Sequence, residues 1–259
     1  MKGIRKGTAI LMMCLWLPLW AAAQGLTFGE PITGTRPYPE GASLEEAGYV
    51  LSYAYPQVEA QSEADEGINR YYQSVAQDME ASRFGALAQE SEEMRTEGMP
   101  PAYTQIDYQI THNDERYVSV LFTTRQFVGN GEGELLSADT FARDGVYAGQ
   151  AIGLSQVLGL EEGATAETAL NDQLTTAESL AYRLVWEIVQ SQMQNVDGDY
   201  LDGLSAESVQ GAFSPETDFY LDEDGNIVFF IQPGILAGEV AGALRFPFAP
   251  AELLSAVRE

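Results

Sequence analysis

The segment AYTQIDYQITHNDERYVSVLFTTRQ, from Ala102 to Gln126, carries the clearest strand pattern in the sequence. Apolar and polar side chains alternate over Ala102–Thr111, and Tyr117–Gln126 is rich in the β-branched and aromatic residues that favour strands. The polar residues His112–Glu115 separate these two runs and predict a hairpin turn. We therefore expect two antiparallel strands joined by a short loop.

A strand and a helix are predicted before this hairpin. Tyr49–Pro56 alternates and is aromatic, which favours a strand. Apolar side chains recur at helical spacing in Glu63–Arg83, and the acidic stretch Phe84–Met99 extends or frays that helix. Pro100 follows and ends it, because proline lacks the N–H that a helix needs. Residues 24–44 are rich in Gly, Pro and Thr, and we expect an irregular arm there.

Helix and strand signals also alternate in the second half of the chain. Ser137–Tyr147 is predicted as a strand, and Leu154–Leu158 as one or two helical turns. Ala164–Gln194 is the strongest helix, because its apolar residues form one broad face. A shorter helix is predicted over Ser205–Phe213, with Ser205 as its N-cap.

A second hairpin and a last strand complete the pattern. Phe219–Leu221 and Ile227–Gln232 flank the turn residues Asp222–Asn226. Leu244–Phe248 is predicted as the last strand, and Pro247 places it at a sheet edge or a strand end.

This succession predicts an α+β protein with two subdomains, each an antiparallel sheet packed with helices. We place the first subdomain at residues 45–150 and the second at residues 151–259. The sequence contains no internal repeat that would favour a solenoid.

Residues Met1–Ala23 have the three parts of a secretory signal peptide. Lys2, Arg5 and Lys6 form a basic start, Ala9–Trp20 is apolar, and small residues follow up to Ala23. We therefore predict export, with cleavage before Gln24. An uncleaved membrane anchor and lipidation at Cys14 are the alternatives, although the stretch is short for a membrane span and Met13 is large for a lipoprotein signal.

The charge of the chain indicates which kinds of partner it can bind. Its formal net charge is −26, and the ten basic residues after the first six positions are all arginine, against 39 Asp and Glu, a balance of −29. Such a chain is unsuited to nucleic acid or to anionic membrane surfaces. Its electric field favours cationic partners.

Four segments carry a resemblance to known proteins. Tyr117–Val120 (YVSV) follows the hairpin, and Thr140–Leu158 joins a strand, a glycine turn and a Leu-Ser helical turn. Asp218–Gln232 has a strand–turn–strand pattern, and Glu239–Leu254 ends with Gly, Phe-Pro and Leu at characteristic spacing. In this order the segments resemble the extracellular domain of RsiV-type anti-sigma factors, which also precedes the catalytic domain of PdaC-type polysaccharide deacetylases.

The resemblance implies a PdaC/RsiV-like N-terminal part and an RsiV-like C-terminal part, a domain family of otherwise unknown function. In the anti-sigma relatives this module binds lysozyme, which is cationic. The chain departs from the pattern at Gly129–Glu132, where many members carry Gly-Gly-Ala-His. The eight residues before the apolar stretch are too few for the sigma-binding region of the anti-sigma factors. The sequence also has no deacetylase domain after this module. We therefore expect the sensor-like module alone.

One segment has partial calcium-loop spacing. Asn195, Asp197 and Asp199 place oxygen atoms at alternate positions, as calcium loops do. However, Tyr200 stands where such a loop needs glycine, and Ala206 where it needs a bidentate glutamate. A polar turn after the long helix is the simpler interpretation, and calcium ligation by these three residues is the alternative.

No catalytic residue and no cofactor are predicted. His112, the only histidine, cannot build a histidine-rich zinc site and is interpreted as part of the hairpin turn. Gly153–Val157 lacks the second glycine of a nucleophile elbow. Cys14 is the only cysteine and lies in the predicted leader. Carboxylates suited to glycosidase chemistry are present, but no pair can be selected among the 39 acidic residues.

Two surface features have alternative interpretations. The acidic run Glu63–Glu97 is either a solvated helix face or a docking face for a basic protein. Five tyrosines either pack between strand and helix or form a sugar-stacking platform; they are Tyr49, Tyr53, Tyr55, Tyr71 and Tyr72.

From these observations we predict an exported, non-catalytic binding or sensing module. Its partner is a cationic protein such as lysozyme, or cell-wall peptidoglycan. The alternatives are a cell-wall-acting hydrolase that uses carboxylates and a structural envelope protein.

Overall fold

The structure, a computed structural model, describes residues 25–94, 100–127, 131–160, 167–194 and 200–255. Its strands are β1 (Ile32–Tyr38), β2 (Tyr49–Tyr55), β3 (Ala102–Asn113), β4 (Tyr117–Phe127), β5 (Glu132–Ala142), β6 (Ala151–Ile152), β7 (Phe219–Leu221), β8 (Ile227–Ile231) and β9 (Leu244–Phe248). Its helices are α1 (Glu63–Asp78), α2 (Phe84–Met94), α3 (Leu154–Val157), α4 (Glu167–Gln194), α5 (Ala206–Gln210) and α6 (Pro250–Leu254), with a π-helical segment at Met79–Arg83.

The described strands form two sheets, and helices pack on both, which confirms the predicted α+β class. The first sheet has the order β1-β2-β3-β4-β5-β6, and the second has the order β7-β8-β9. In the described part of the chain β9 pairs with β8 alone and is therefore an edge strand. An edge strand tolerates Pro247, because proline has no N–H to donate to a second neighbour. Ser205 caps α5 as predicted, since its hydroxyl accepts a hydrogen bond from the Ser208 main-chain N–H.

Strand β1 lies within residues 24–44, where the sequence predicts an irregular arm, and that prediction is wrong. β1 pairs with β2 along its whole length. Gly34 is required in this strand, because a Cβ atom there would collide with the ring of its cross-strand neighbour Tyr53. Pro37 is tolerated because β1 is an edge strand. Pairing with a neighbour, rather than local propensity, makes this segment a strand.

The first sheet is mixed, whereas the sequence predicts antiparallel sheets. β2 and β3 run parallel, and the other neighbouring strands in both described sheets are antiparallel. Between β2 and β3 the chain passes through α1, the π-helical segment and α2. A parallel pair needs such a long crossover, because the chain must return to the end of the sheet from which it started.

Strand β5 is displaced from its predicted position at Ser137–Tyr147. The strand pairs with β4 from Phe127↔Glu132 to Tyr117↔Ala142, so it begins and ends five residues before the predicted bounds. A 3₁₀ turn at Gly145–Tyr147 follows. β6 then closes the first sheet at Ile152, beyond the boundary predicted at residue 150.

Strand alternation places apolar side chains on both faces of the first sheet. On one face, Phe141 packs with Tyr72 under α1. On the other face, Leu121 meets Phe230 of the second sheet. The far side of the second sheet packs against α4. The layers therefore run helix, sheet, sheet, helix.

Polar side chains join the two sheets at buried positions. Ser119 is fully buried; its hydroxyl accepts a hydrogen bond from the Leu221 main-chain N–H at 3.0 Å and lies 2.9 Å from the Thr140 hydroxyl. The Gln232 amide accepts from the Leu136 N–H at 2.9 Å and donates to the Leu136 carbonyl oxygen at 2.7 Å. It thereby occupies main-chain groups of β5 as a neighbouring strand would.

Helix α1 contacts the turn after β5 backbone to backbone. Ser62 begins the helix, and its hydroxyl accepts a hydrogen bond from the Asp65 main-chain N–H at 3.2 Å. A Cβ atom added at Gly67 would lie 2.6 Å from the carbonyl oxygen of Gly149, which has a φ of +77°. This approach fixes the position of α1 over the sheet.

The predicted leader, Met1–Ala23, lies outside the described residues. Within the ranges that the structure does describe, none of the helices has the length and apolar character to cross a membrane.

Candidate functional site

The five tyrosines of the N-terminal half pack between strand and helix, as the sequence predicts in its first alternative. Tyr49, Tyr53, Tyr55 and Tyr72 are buried, and Tyr71 is partly buried. The Tyr55 and Tyr72 rings stack with centroids 6.1 Å apart. Burial of the rings excludes an exposed stacking platform. Two of the five, Tyr55 and Tyr71, also line a cleft.

That cleft, which we call the helix–sheet cleft, lies between the helical layer and the first sheet. It has a volume of about 660 Å³, within the range of small-ligand sites. One wall consists of α1, the π-helical segment and the start of α2; the other consists of β2 to β5. π-helical turns are frequent at functional sites because they displace side chains from the regular helical positions.

The floor of the cleft changes from apolar to polar along the strands. In β4, Phe122 is followed on the same face by Thr124 and Gln126, all of which line the cleft. Ser137 of β5 pairs with Phe122 and also lines it. The sequence therefore places hydroxyl and amide groups where a continued core would have placed aliphatic ones.

A carboxylate stands at one end of the cleft. Asp139 of β5 is partly buried, and its Oδ1 accepts a hydrogen bond from the Tyr71 hydroxyl at 2.9 Å. Burial raises the pKa of Asp139, although the hydrogen bond from Tyr71 acts in the opposite direction. Burial and the nearby Asp139 charge raise the pKa of Tyr71 as well. A carboxylate with a raised pKa in a cleft is a common property of functional sites.

The cleft has little positive charge at its opening. Arg83 lines it, but its Nε lies 3.1 Å from the Asp78 carboxylate, which lines the cleft too. Both side chains are more than half exposed. With Asp139 further inside, the charge of the described lining is negative, which disfavours anionic ligands.

A second candidate site is a partly apolar depression on the surface, lined by residues of β3, β4 and β5 and by residues 233–242. Val240 is 100% exposed and Leu135 is 44% exposed, and both line a shallow depression of about 430 Å³ together with Pro233. Three carboxylates, those of Glu132, Glu134 and Glu239, line the same depression. We call these six residues the Val240 patch.

The only described arginine in this depression is already paired. Arg125 contacts the Asp107 carboxylate at 3.3 Å and the Glu134 carboxylate at 3.4 Å. The Tyr103 hydroxyl donates a hydrogen bond to Glu132 at 2.8 Å. The patch therefore combines exposed apolar side chains with carboxylates, a composition typical of protein-binding surfaces that select basic partners.

His112 lies in β3, so its predicted place in the hairpin turn is wrong. A bulge between Ile110 and His112 aims the ring at the second sheet, where Nδ1 lies 2.7 Å from the Asp222 carbonyl oxygen. Its Nε2 lies 3.1 Å from the Asp114 carboxylate, and the side chain is 8% exposed. The histidine joins the two sheets and does not line the cleft.

The candidate calcium ligands Asn195, Asp197 and Asp199 lie outside the described residues. Among the residues that are described, no three His, Asp, Glu or Cys side chains come close enough together to hold a metal ion. The described part of the acidic run, Glu63–Glu93, lies on α1, the π-helical segment and α2, and most of its carboxylates are exposed.

Comparison with known proteins identifies the fold. No family profile matches the chain, and no curated protein is significantly similar to it. A DUF3298 family protein of Pseudomonas aeruginosa PAO1 has a similar crystal structure, with a TM-score of 0.50 and 12% identity over 89% of this chain and 94% of that chain. A DUF3298 family member from Bacteroides fragilis NCTC 9343 also has a TM-score of 0.50, with 10% identity over 90% of this chain and 94% of that chain.

The chain is thus an α+β protein with the fold of DUF3298 proteins, a domain of unknown function. At these identities the likeness concerns the fold alone, so the function must be argued from the cleft and from the Val240 patch.

Proposed function

We propose that this protein is an exported, non-catalytic binding module whose partner is a cationic protein, and that the Val240 patch is its contact surface. The observation that carries the proposal is Val240, an aliphatic side chain fully exposed to water within a group of carboxylates. Adjoining exposed apolar groups rimmed by polar ones mark interaction surfaces, and Leu135 and Pro233 line the same depression as Val240.

The charge distribution supports a basic partner. Most described arginines already contact carboxylates of the chain itself, as the pairs Arg36–Glu80, Arg70–Glu66 and Arg183–Glu187 illustrate. The large excess of acidic residues is consequently left to face the solvent. A field of this sign accelerates encounter with a basic protein, while apolar contacts at the patch supply most of the affinity.

The resemblance to the extracellular domain of RsiV-type anti-sigma factors supports lysozyme as the first partner to test. Those proteins bind lysozyme, which is cationic and acts on cell walls. Export, predicted from the leader, would bring the module to the compartment in which such a partner is met.

The proposal is tested by titrating residues 24–259 with lysozyme and, in parallel, with a basic protein of similar size and unrelated fold. Saturable 1:1 binding of lysozyme that persists at about 0.15 M salt, where the Debye length is about 8 Å, supports a specific surface. Binding of both proteins that disappears with salt reflects the overall charge only. Absence of binding to either contradicts the proposal.

A matched pair of substitutions locates the contact. Val240→Asp adds a charge to the patch on the 3₁₀ turn Glu239–Ala241. Val146→Asp adds the same charge at a valine that is 85% exposed on the separate 3₁₀ turn Gly145–Tyr147. We expect Val240→Asp to weaken binding at least tenfold and Val146→Asp to leave it unchanged. Equal effects of the two substitutions would show that the patch is not the contact surface.

The alternative function, a cell-wall-acting hydrolase, receives support from Asp139 and Asp78, two carboxylates that line one cleft. Carboxylate pairs perform acid–base chemistry on glycosidic bonds. Incubation with purified peptidoglycan separates the two functions. Release of soluble fragments that Asp139→Asn abolishes would favour the hydrolase, and saturable association without release would favour the binding module.

A further inference from the structure

We infer that the helix–sheet cleft binds a short neutral saccharide. This inference does not depend on the Val240 patch or on a protein partner. It rests on the volume of the cleft, on unused hydrogen-bonding groups along its walls and on an acceptor at its inner end.

The unused groups come from both walls. Within the part of the chain that the structure describes, Ser74 and Ser82 on the helical wall make no side-chain hydrogen bond, and neither do Thr124, Gln126 and Ser137 on the sheet wall. Four hydroxyls and one amide thus remain available around one cavity. Ligands rich in hydroxyl groups satisfy such a lining, because every sugar hydroxyl both donates and accepts.

The floor supplies apolar contacts beside these groups. Ile106 and Phe122 are buried beneath the cleft, and Tyr55 closes it from β2. Sugar rings have C–H surfaces that pack on aromatic and aliphatic side chains, while their hydroxyls point to polar groups at the rim. A lining that alternates apolar and hydroxyl groups fits that amphipathic shape better than it fits a purely apolar ligand.

Asp139 provides the directional contact. Its carboxylate accepts one hydrogen bond from Tyr71, and an ionised carboxylate has acceptor positions beyond that one. A pair of adjacent sugar hydroxyls would donate to the remaining positions. Hydrogen bonds to a charged acceptor are stronger than neutral ones, so this residue should fix the orientation of the ring.

Charge selects a neutral ligand over an anionic one. Asp78 and Asp139 repel anions, and the single arginine of the described lining, Arg83, is compensated by Asp78. The volume of about 660 Å³ lies in the range of small-ligand sites and has room for a short oligosaccharide.

The test uses three neutral probes, triacetylchitotriose, cellotriose and maltotriose, titrated by calorimetry and by NMR into residues 24–259. We expect saturable binding of at least one probe. Thr124→Val and Asp139→Asn should each weaken it roughly tenfold, the effect of losing one good hydrogen bond. Thr123→Val is the matched control, because Thr123 is the neighbouring threonine of β4 and does not line the cleft.

Several outcomes would overturn the inference. These are no saturable binding of any neutral probe, equal weakening by Thr124→Val and Thr123→Val, and preferential binding of a cation such as spermidine that the neutral sugars do not displace. Thermal unfolding of each variant distinguishes loss of binding from loss of fold. Retained sugar binding in Val240→Asp would show that the cleft and the patch are separate sites.

Discussion

The Nδ1 atom of His112 lies 2.7 Å from the carbonyl oxygen of Asp222 and joins the two sheets of the protein across a sequence separation of 110 residues. The ring is almost fully buried between the first hairpin and the second. The single histidine of the chain is therefore a connection between layers.

Replacing His112 should loosen that connection. We expect His112→Ala to lower the free energy of unfolding by about 1–3 kcal/mol, because the Asp222 carbonyl oxygen loses its partner. Urea unfolding at neutral pH measures the change. Glu115→Gln, in the same hairpin but exposed, is the control and should leave the midpoint unchanged. An unchanged midpoint in His112→Ala would mean that the layers are held together without this contact.

Ionised Asp114 is expected to stabilise the folded state at neutral pH. Burial alone would raise the pKa of Asp114, but the N–H groups of Tyr117 and Arg116 and the His112 ring together lower it below its ordinary value of 3.8. The folded protein therefore holds this proton less tightly than the unfolded chain, so the stabilisation is present above about pH 4 and is lost as the pH falls through the lowered pKa. Asp114→Asn should lower the midpoint of unfolding at pH 7, and the difference from the wild type should shrink below pH 4.

Asp139 should behave in the opposite way. Its pKa is raised by burial, so the folded state binds the proton more tightly than the unfolded chain does. Stability is then lost as the pH rises from 3.8 through the raised value, and the ionised form is the less stable one at pH 7. Asp139→Asn should therefore raise the melting temperature at pH 7, with a gain that disappears in acid. A lower melting temperature at pH 7 would contradict this assignment.

This expectation also bears on the saccharide site. A substitution that stabilises the protein and weakens sugar binding cannot be explained by unfolding. The two measurements on Asp139→Asn would together identify a carboxylate retained at a cost in stability, as is common at functional sites.

Two helical glycines should respond to alanine with opposite signs. Gly85 of α2 has no neighbouring atom within 4 Å of an added Cβ, so Gly85→Ala should stabilise by about 1 kcal/mol through helix propensity. Gly67 of α1 faces the Gly149 carbonyl oxygen at 2.6 Å from such a Cβ, so Gly67→Ala should destabilise despite the same propensity gain. Denaturant midpoints of both variants check the pair. Stabilisation by Gly67→Ala would show that the helix can move away from the turn.

Most strands and helices could be predicted because their apolar side chains recur at the spacing of a strand or of a helix. β3, β4 and α4 are such cases, and each lies close to its predicted place. β1 could not be predicted locally, because Gly34 and Pro37 resemble loop residues until β2 is placed beside them. The parallel pairing of β2 and β3 is likewise a property of two distant segments.

The candidate sites were missed for the same reason. The helix–sheet cleft combines side chains of one helical layer and four strands, and none of them forms a motif in sequence. Alternation from Phe122 to Gln126, with polar residues on the inward face, is the one local signal that could have indicated it. The Val240 patch joins β5 to a distant 3₁₀ turn, and only the paired strands reveal that proximity.

The apolar layer between the two sheets has a consequence for how the chain acquires its structure. β4 and β5 contribute Leu121 and Leu136 to that layer, but Tyr220 and Phe230 arrive only after a further stretch of chain has been synthesised. A protein truncated before Phe219 would expose an unprotected sheet face and should aggregate. We therefore expect this face of the first sheet to stay exposed in the growing chain until the last three strands have emerged.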